Sequence, residues 1–270
     1  MADRTIDTVV ARLSDPSLDT KGKIETLTSV RDNIESWCSG GSYSVFLEKL
    51  IDVFLGLLDG PPVFTSTSSE QRIRNCVLEI LHRLPITDPE KTEKYAQRIV
   101  DKCLDIVRVD NEDNAVLCLK IIMDFERYHI KALHDRAQPF LDLIMELFDG
   151  MQQTVRDTFD SPQASDNNGD SVVTNSPRPG SPVASQTSGV GAEEQQTTRT
   201  LTKGMNSFKV VAECPIIVVS IFQAYKTLLP KNVPQFTPRI QAALKLQAGP
   251  QQRAHESAAA KATIFHKLRP

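Results

Sequence analysis

Neither glycine-rich signature that cradles nucleotide phosphates occurs in this sequence: Gly-x-Gly-x-x-Gly and Gly-x-x-x-x-Gly-Lys-Ser/Thr are both missing. Gly-x-Ser-x-Gly and His-Glu-x-x-His are missing too, so no nucleophile elbow and no two-histidine zinc helix is present. The five cysteines (Cys38, Cys76, Cys103, Cys118, Cys214) are odd in number and widely spaced, with no Cys-x-x-Cys pair. That spacing excludes a disulfide framework and a zinc ribbon and predicts reduced core thiols, as in the cytosol or nucleus. Charge of one sign is also lacking: 31 basic residues face 34 acidic ones, a net of −3. Nothing global therefore points to DNA or another polyanion. The most apolar run, Pro215 to Phe222, is far shorter than the roughly 20 residues that span a bilayer. The start, MADRTIDTVVARL, carries charges within its first turns and lacks the build of a signal peptide.

What is present is helical periodicity. Up to about Met151 apolar residues recur at helical spacing with almost no strand-like alternation, which predicts an all-α first half. Ile6, Val9, Val10 and Leu13 mark a first helix ended by Asp15-Pro16. Ile24, Leu27, Ile34, Trp37 and Cys38 mark a second ended by Gly40-Gly41, and a third begins at Ser42. Ser68-x-x-Gln71 reads as a capping box, Asp88-Pro89 and Thr237-Pro238 as a cap followed by proline, Asn111 as the cap of a helix through Phe125, and Asp135 as the start of another through Phe148.

Three segments align without gaps: LIDVFLGLLD from Leu50, IVDKCLDIVR from Ile99 and FLDLIMELFD from Phe140. Asp52, Asp101 and Asp142 take the same place in each, at offsets of 49 and 41 residues. These bracket the roughly 40 to 47 residue period of HEAT and armadillo helix pairs. The expected fold is an all-α, HEAT/armadillo-like α-solenoid of stacked helix pairs, in which neighbouring pairs share one core. Helical repeats are expected over residues 1–152. Residues 153–203, dominated by Ser, Thr, Pro and Gly, cannot bury enough apolar surface to offset their ordering entropy, so a disordered insertion is expected there. The solenoid is expected to resume over 204–248, followed by a polar, Ala-rich tail over 249–270.

Candidate chemistry is thin. His129, His134 and Asp135 lie near a helix junction, but five residues between the histidines is the wrong spacing for one helical face. His82 closes a helix, where a cation suits the dipole. Cys103 and Cys118 lack a neighbouring base in the sequence and read as core thiols. The repeated aspartates could form an acidic ladder for a basic partner or simply a solvated face with Lys49 and Lys102 nearby. Ser161, Ser176 and Ser181 each precede proline, as proline-directed phosphorylation sites do. No catalytic, cofactor-binding or metal-binding residue is expected, and no cofactor.

Four segments carry a family resemblance: IRNCVLEILHRLP (Ile73 to Pro85), EDNAVLCLKIIMDFERYH (Glu112 to His129), QPFLDLIMELF (Gln138 to Phe148) and SFKVVAECPIIVVSIFQAYKTLLPKNVPQFTPRI (Ser207 to Ile240). They resemble the amino-terminal HEAT region of the transformation/transcription domain-associated protein (TRRAP) family and its fungal members, from about Ile73 to Gln252. The resemblance implies a giant α-solenoid pseudokinase related to the phosphatidylinositol-3-kinase-like kinases. It implies a nuclear coactivator scaffold that links DNA-bound activators to SAGA-type and nucleosomal histone acetyltransferase complexes. The partners it implies are activators and acetyltransferase-complex subunits, with no direct nucleic acid, membrane or small-molecule substrate. The FAT, pseudokinase and FATC regions would lie beyond Pro270, so this chain is expected to be a fragment. A HEAT-repeat nuclear transport receptor of the importin type is the alternative; a true protein kinase of the same superfamily is a weaker one.

Overall fold

The computed structural model describes residues 2–38, 41–86, 89–159 and 198–245. In chain order the helices are α1 (Ala2–Ser14), α2 (Thr20–Asp32), α3 (Ile34–Trp37), α4 (Ser42–Leu57), α5 (Ser69–His82), α6 (Pro89–Val109), α7 (Glu112–Tyr128), α8 (His134–Phe159), α9 (Phe208–Ala224) and α10 (Leu229–Leu244). Among the described residues there is no strand, only two isolated β-bridges, Thr65 with Thr200 and Asn111 with Lys203. Nor is any single helix there long and apolar enough to cross a membrane.

Helix starts follow the expected chemistry, in which a short polar side chain accepts a backbone N–H that the helix leaves free. Ser68 accepts from the Gln71 amide (3.2 Å), and Asn111 accepts from the amides of Asp113 and Asn114 (both 3.1 Å). Asp19 and Ser207 do the same for α2 and α9.

The helices stack in two layers. α1, α4, α6, α8 and α10 follow one another in the first; α2, α5, α7 and α9 follow one another in the second, each beside the first-layer helix that precedes it in the chain. The three aligned segments fall on α4, α6 and α8, successive helices of the first layer. Their inward positions coincide. Leu50, Ile51, Phe54, Leu55 and Leu58 are all buried, as are Ile99, Val100, Cys103, Leu104 and Val107, and Phe140, Leu141, Ile144, Met145 and Phe148. The spacing i, i+1, i+4, i+5, i+8 is a stripe wide enough to face both its own partner and the neighbouring pair. A fourth, degenerate copy is visible only with the structure: TIDTVVARLS of α1 places Ile6, Val9 and Leu13 in the core and Asp7 where the aspartates stand, 45 residues before Asp52. One continuous apolar core runs from Ile6 to Ala243. This is the solenoid that the repeat period predicts.

Several boundaries differ. The second helix is broken at Asn33 (φ −113°, ψ 18°), whose side-chain amide donates to the Ser29 carbonyl (2.9 Å) and closes α2; α3 then turns Ile34 into the core. Thr237-Pro238 does not start a helix. α10 begins at Leu229 and runs through both Pro234 and Pro238, and the Thr237 hydroxyl donates back to the Val233 carbonyl (2.8 Å). Both prolines lie on the exposed side, where water can serve the carbonyls they leave free. Within the stretch expected as an insertion, α8 continues to Phe159, and residues 199–202 are held by backbone hydrogen bonds to Ser66, Phe64 and Glu112. Residues 160–197, Asp88 and the tail from 246 onward lie outside the described residues, and with them Ser161, Ser176 and Ser181.

Candidate functional site

The sequence candidates for chemistry do not converge. His129 closes α7 and is buried, its Nε2 2.9 Å from the Thr92 hydroxyl and its ring 5.5 Å from that of Phe125. Burial lowers its pKa against the opposing pull of Glu93, which favours the neutral imidazole. His134 is exposed at the head of α8, beside Asp135 and edge-on to Tyr225. His82 ends α5 as expected, with its Nε2 3.6 Å from Asp124 of α7. Cys76, Cys103, Cys118 and Cys214 are buried, and none forms a disulfide. Burial pushes the Cys38 thiol up to about 12 and raises Cys118 as well, helped by its hydrogen bond with Cys103. These are inert thiols. Among the described residues no three His, Cys, Asp or Glu side chains are grouped to hold a metal ion.

Of the three repeated aspartates, Asp52 and Asp101 are each met by a base of the next repeat, as Asp7 of the degenerate copy is, whereas Asp142 accepts from Gln138 of its own helix (2.7 Å). Asp7 of α1 takes Lys49 of α4 (2.5 Å), Asp52 of α4 takes Arg98 of α6 (2.6 Å), and Asp101 of α6 takes Arg136 of α8 (2.6 Å). Lys49 and Arg98 occupy the same repeat position, immediately before the aligned segments. In α8 that position is Pro139, which cannot carry a charge, and the base sits one turn earlier as Arg136. Further along the same layer Asp59 pairs with Lys102, and Asp149 takes a two-pronged contact from Arg239 of α10 (both 2.8 Å). The second layer has cross-repeat pairs of its own, Arg31 with Glu79 (2.9 Å) and His82 with Asp124. Exposed pairs of this kind contribute about 0 to 1 kcal/mol each; their value is register, since each repeat presents acid to one neighbour and base to the other.

The strongest polar constellation is buried and is not legible in the sequence. Arg74 of α5 is locked against Asp110, which ends α6, and its Nη1 donates to the carbonyls of Leu58 and Gly60 (both 3.0 Å). The other Asp110 oxygen accepts from the Asn111 amide (2.7 Å). Gln71 and Asn114 exchange two amide bonds (both 3.0 Å), and Gln71 also accepts from Asn111. A strap formed by residues 198–207 closes this junction. Leu201 N–H donates to Phe64 O (2.7 Å), Glu112 N–H to Thr202 O (2.7 Å), and Gly204 N–H to Asp110 O (2.8 Å). The Glu112 carboxylate, nearly buried, accepts from Ser207 (2.6 Å) and Arg199 (3.0 Å), with Lys209 at 3.3 Å. Gly204 is required by close approach. A Cβ there would lie 2.7 Å from Ala115 Cβ and 2.9 Å from the Val107 carbonyl oxygen. Every polar group in this junction is spent on holding α5, α6, α7 and the strap together, which leaves a rigid, satisfied seam rather than a reactive pocket.

No protein-family model matches the chain. Individual relatives do. It is 31% identical over 251 residues to the transformation/transcription domain-associated protein of Danio rerio, covering 92% of this chain and 6% of that protein. The Homo sapiens protein of the same name is 30% identical over 255 residues, again 92% of this chain and 6% of the relative. The SAGA complex/NuA4 acetyltransferase complex subunit TRA1 of Saccharomyces cerevisiae is 26% identical over 277 residues, 97% of this chain and 7% of the relative. The chain is homologous to a portion of the TRRAP/Tra1 proteins.

The four TRRAP/Tra1-like segments meet in space at the seams. Ile73–Pro85 supplies Arg74, Glu112–His129 supplies Glu112, Asn114 and Glu126, Gln138–Phe148 supplies the Gln138 that exchanges two amide bonds with Asn232 (2.9 and 3.0 Å), and Ser207–Ile240 supplies Ser207, Tyr225 and Asn232. The chain spans about 6 to 7% of the length of the TRRAP/Tra1 relatives it matches.

Proposed function

We propose that this chain is a non-catalytic scaffold segment of a nuclear transcription coactivator subunit, one that links DNA-bound activators to histone acetyltransferase complexes by protein-protein contact. The observation that carries the reading is its homology to subunits named for SAGA and NuA4 acetyltransferase complexes. Physically it is supported by how the charged groups are used: acids and bases pair between repeats instead of converging on a cleft. A solenoid of this kind works by geometry, holding an extended surface at fixed spacing for other proteins. We further propose that the segment belongs to the amino-terminal solenoid of such a subunit and contributes no step of chemistry.

The test is affinity purification of the full-length protein from nuclear extract followed by mass spectrometry. Acetyltransferase-complex subunits and activators are the expected co-purifying proteins. Their absence, or recovery of transport cargo and its small GTPase instead, would sink the coactivator reading.

A further inference from the structure

Glu126 lies in the last turn of α7 and is fully buried. Its Oε2 accepts a hydrogen bond from the Tyr225 hydroxyl, while Oε1 has no partner. Tyr225, 2% exposed, closes the carboxyl end of α9 at φ −117°, ψ 68°. There the chain turns by 107° into the helical run Lys226–Ala243. A single carboxyl on the third second-layer helix thus ties down the corner at which the fourth pair hands over to α10.

Among the described residues, Tyr225 is the one group that favours a negative charge on Glu126. From the corner the Tyr225 hydroxyl bonds to the carboxyl, and from α8 His134 stands edge-on to the Tyr225 ring at 6.1 Å. Along α7, His129 bonds to Thr92 of α6, where Glu93 lies beside it. From α5, His82 is taken up by Asp124. Among the described residues no Lys or Arg pairs with Glu126. Burial raises its carboxyl pKa to about 7, and the tyrosine bond pulls only part of the way back. The same burial, and then the carboxylate, raise the Tyr225 hydroxyl, so tyrosine remains the donor.

We propose that Glu126 and Tyr225 form a proton-controlled joint: neutral Glu126 holds the α9–α10 corner against α7, and its ionisation loosens that corner and re-aims α10. The geometry gives the device one lever arm. Tyr225 accepts the Leu228 amide (3.0 Å) immediately before α10, so displacement of the tyrosine moves the start of that helix directly.

Amide hydrogen exchange of the whole chain from pH 4.5 to 8, corrected for intrinsic exchange chemistry, tests this. The opening constant of the Tyr225 and Leu228 amides should rise by up to about tenfold per pH unit until the pH passes about 7, and then level off. In Glu126→Gln, which keeps an acceptor for the tyrosine but carries no charge, the rise should vanish. Tyr225→Phe should keep the rise and lose protection at every pH. A flat profile in the unaltered protein, or the same slope in Glu126→Gln, overturns the joint. The carboxyl carbon shift of Glu126, followed by NMR in the unaltered protein, gives a reading independent of any variant; a midpoint in the ordinary carboxylate range also overturns it.

Discussion

Arg74 and Asp110 form an ion pair with almost no contact with water, at 5% and 0% side-chain exposure, and it joins the second helix pair to the third. Both charges carry further bonds: the guanidinium to two carbonyls of the loop after α4, the carboxylate to the first amide of the α7 cap. The pair is thus the centre of a junction rather than an isolated contact.

Removing one partner strands the other in the core. Arg74→Met should cost about 3 to 5 kcal/mol in urea denaturation, because Asp110 is left buried without its counterion. The double change Arg74→Met with Asp110→Leu should cost less than the single one if desolvation dominates. A single-variant cost below about 1 kcal/mol would contradict the role given to this pair.

Gly204→Val places a side chain against Ala115 and the Val107 carbonyl, neither of which can retreat without moving a helix. Strap docking should fail, so the variant should lose thermal stability and gain protease sensitivity around residues 198–207. Ala at the same site should do proportionally less harm, and Val without effect on melting would mean that the strap is not held as described.

The buried carboxyl also sets a pH dependence of global stability. Glu126 has its folded pKa raised from 4.5 to about 7, so its contribution is fully present below the ordinary carboxyl value and is lost as pH climbs through about 7. The loss is on the order of 3 kcal/mol, taking about 1.4 kcal/mol per unit. Glu126→Gln should therefore be more stable than the unaltered protein at pH 8 and lose that advantage near pH 4.5, as measured by denaturant midpoints at each pH.

A protease site engineered between residues 170 and 180 should yield two pieces that remain together on size exclusion. The strap, α9 and α10 pack on α6, α7 and α8 and are tied there by Glu112, Asn232 and Asp149. Elution as separate pieces would show that the two parts do not share a core.

The first-layer helices are legible in the sequence because their burial stripe repeats: five apolar positions and one aspartate recur at fixed places in α4, α6 and α8. Local chemistry also announces the caps at Ser68 and Asn111. The polar junction stays hidden because its side-chain to side-chain bonds between elements join residues 36 to 95 apart that read singly as surface residues; Arg74, Gln71 and Glu112 carry no local sign of burial. The strap is hidden for a related reason. Its Thr-Arg-Thr-Leu-Thr-Lys composition looks like the preceding polar stretch, and only tertiary bonds to Phe64 and Asp110 give it a place. The aspartates stand out as a repeat, but the partners of Asp52 and Asp101, one repeat away, become visible only in three dimensions.

The Asp-to-base seams also bear on how such a molecule can lengthen. Asp7 and Asp52 meet Lys49 and Arg98 from equivalent positions, so at these two seams the earlier pair offers the same plug and the later pair the same socket. A duplicated pair inserted between two others would find a fitting seam on both sides. Growth by copying then needs no redesign of the existing joints, and a very long chain can be assembled from many modest, interchangeable parts.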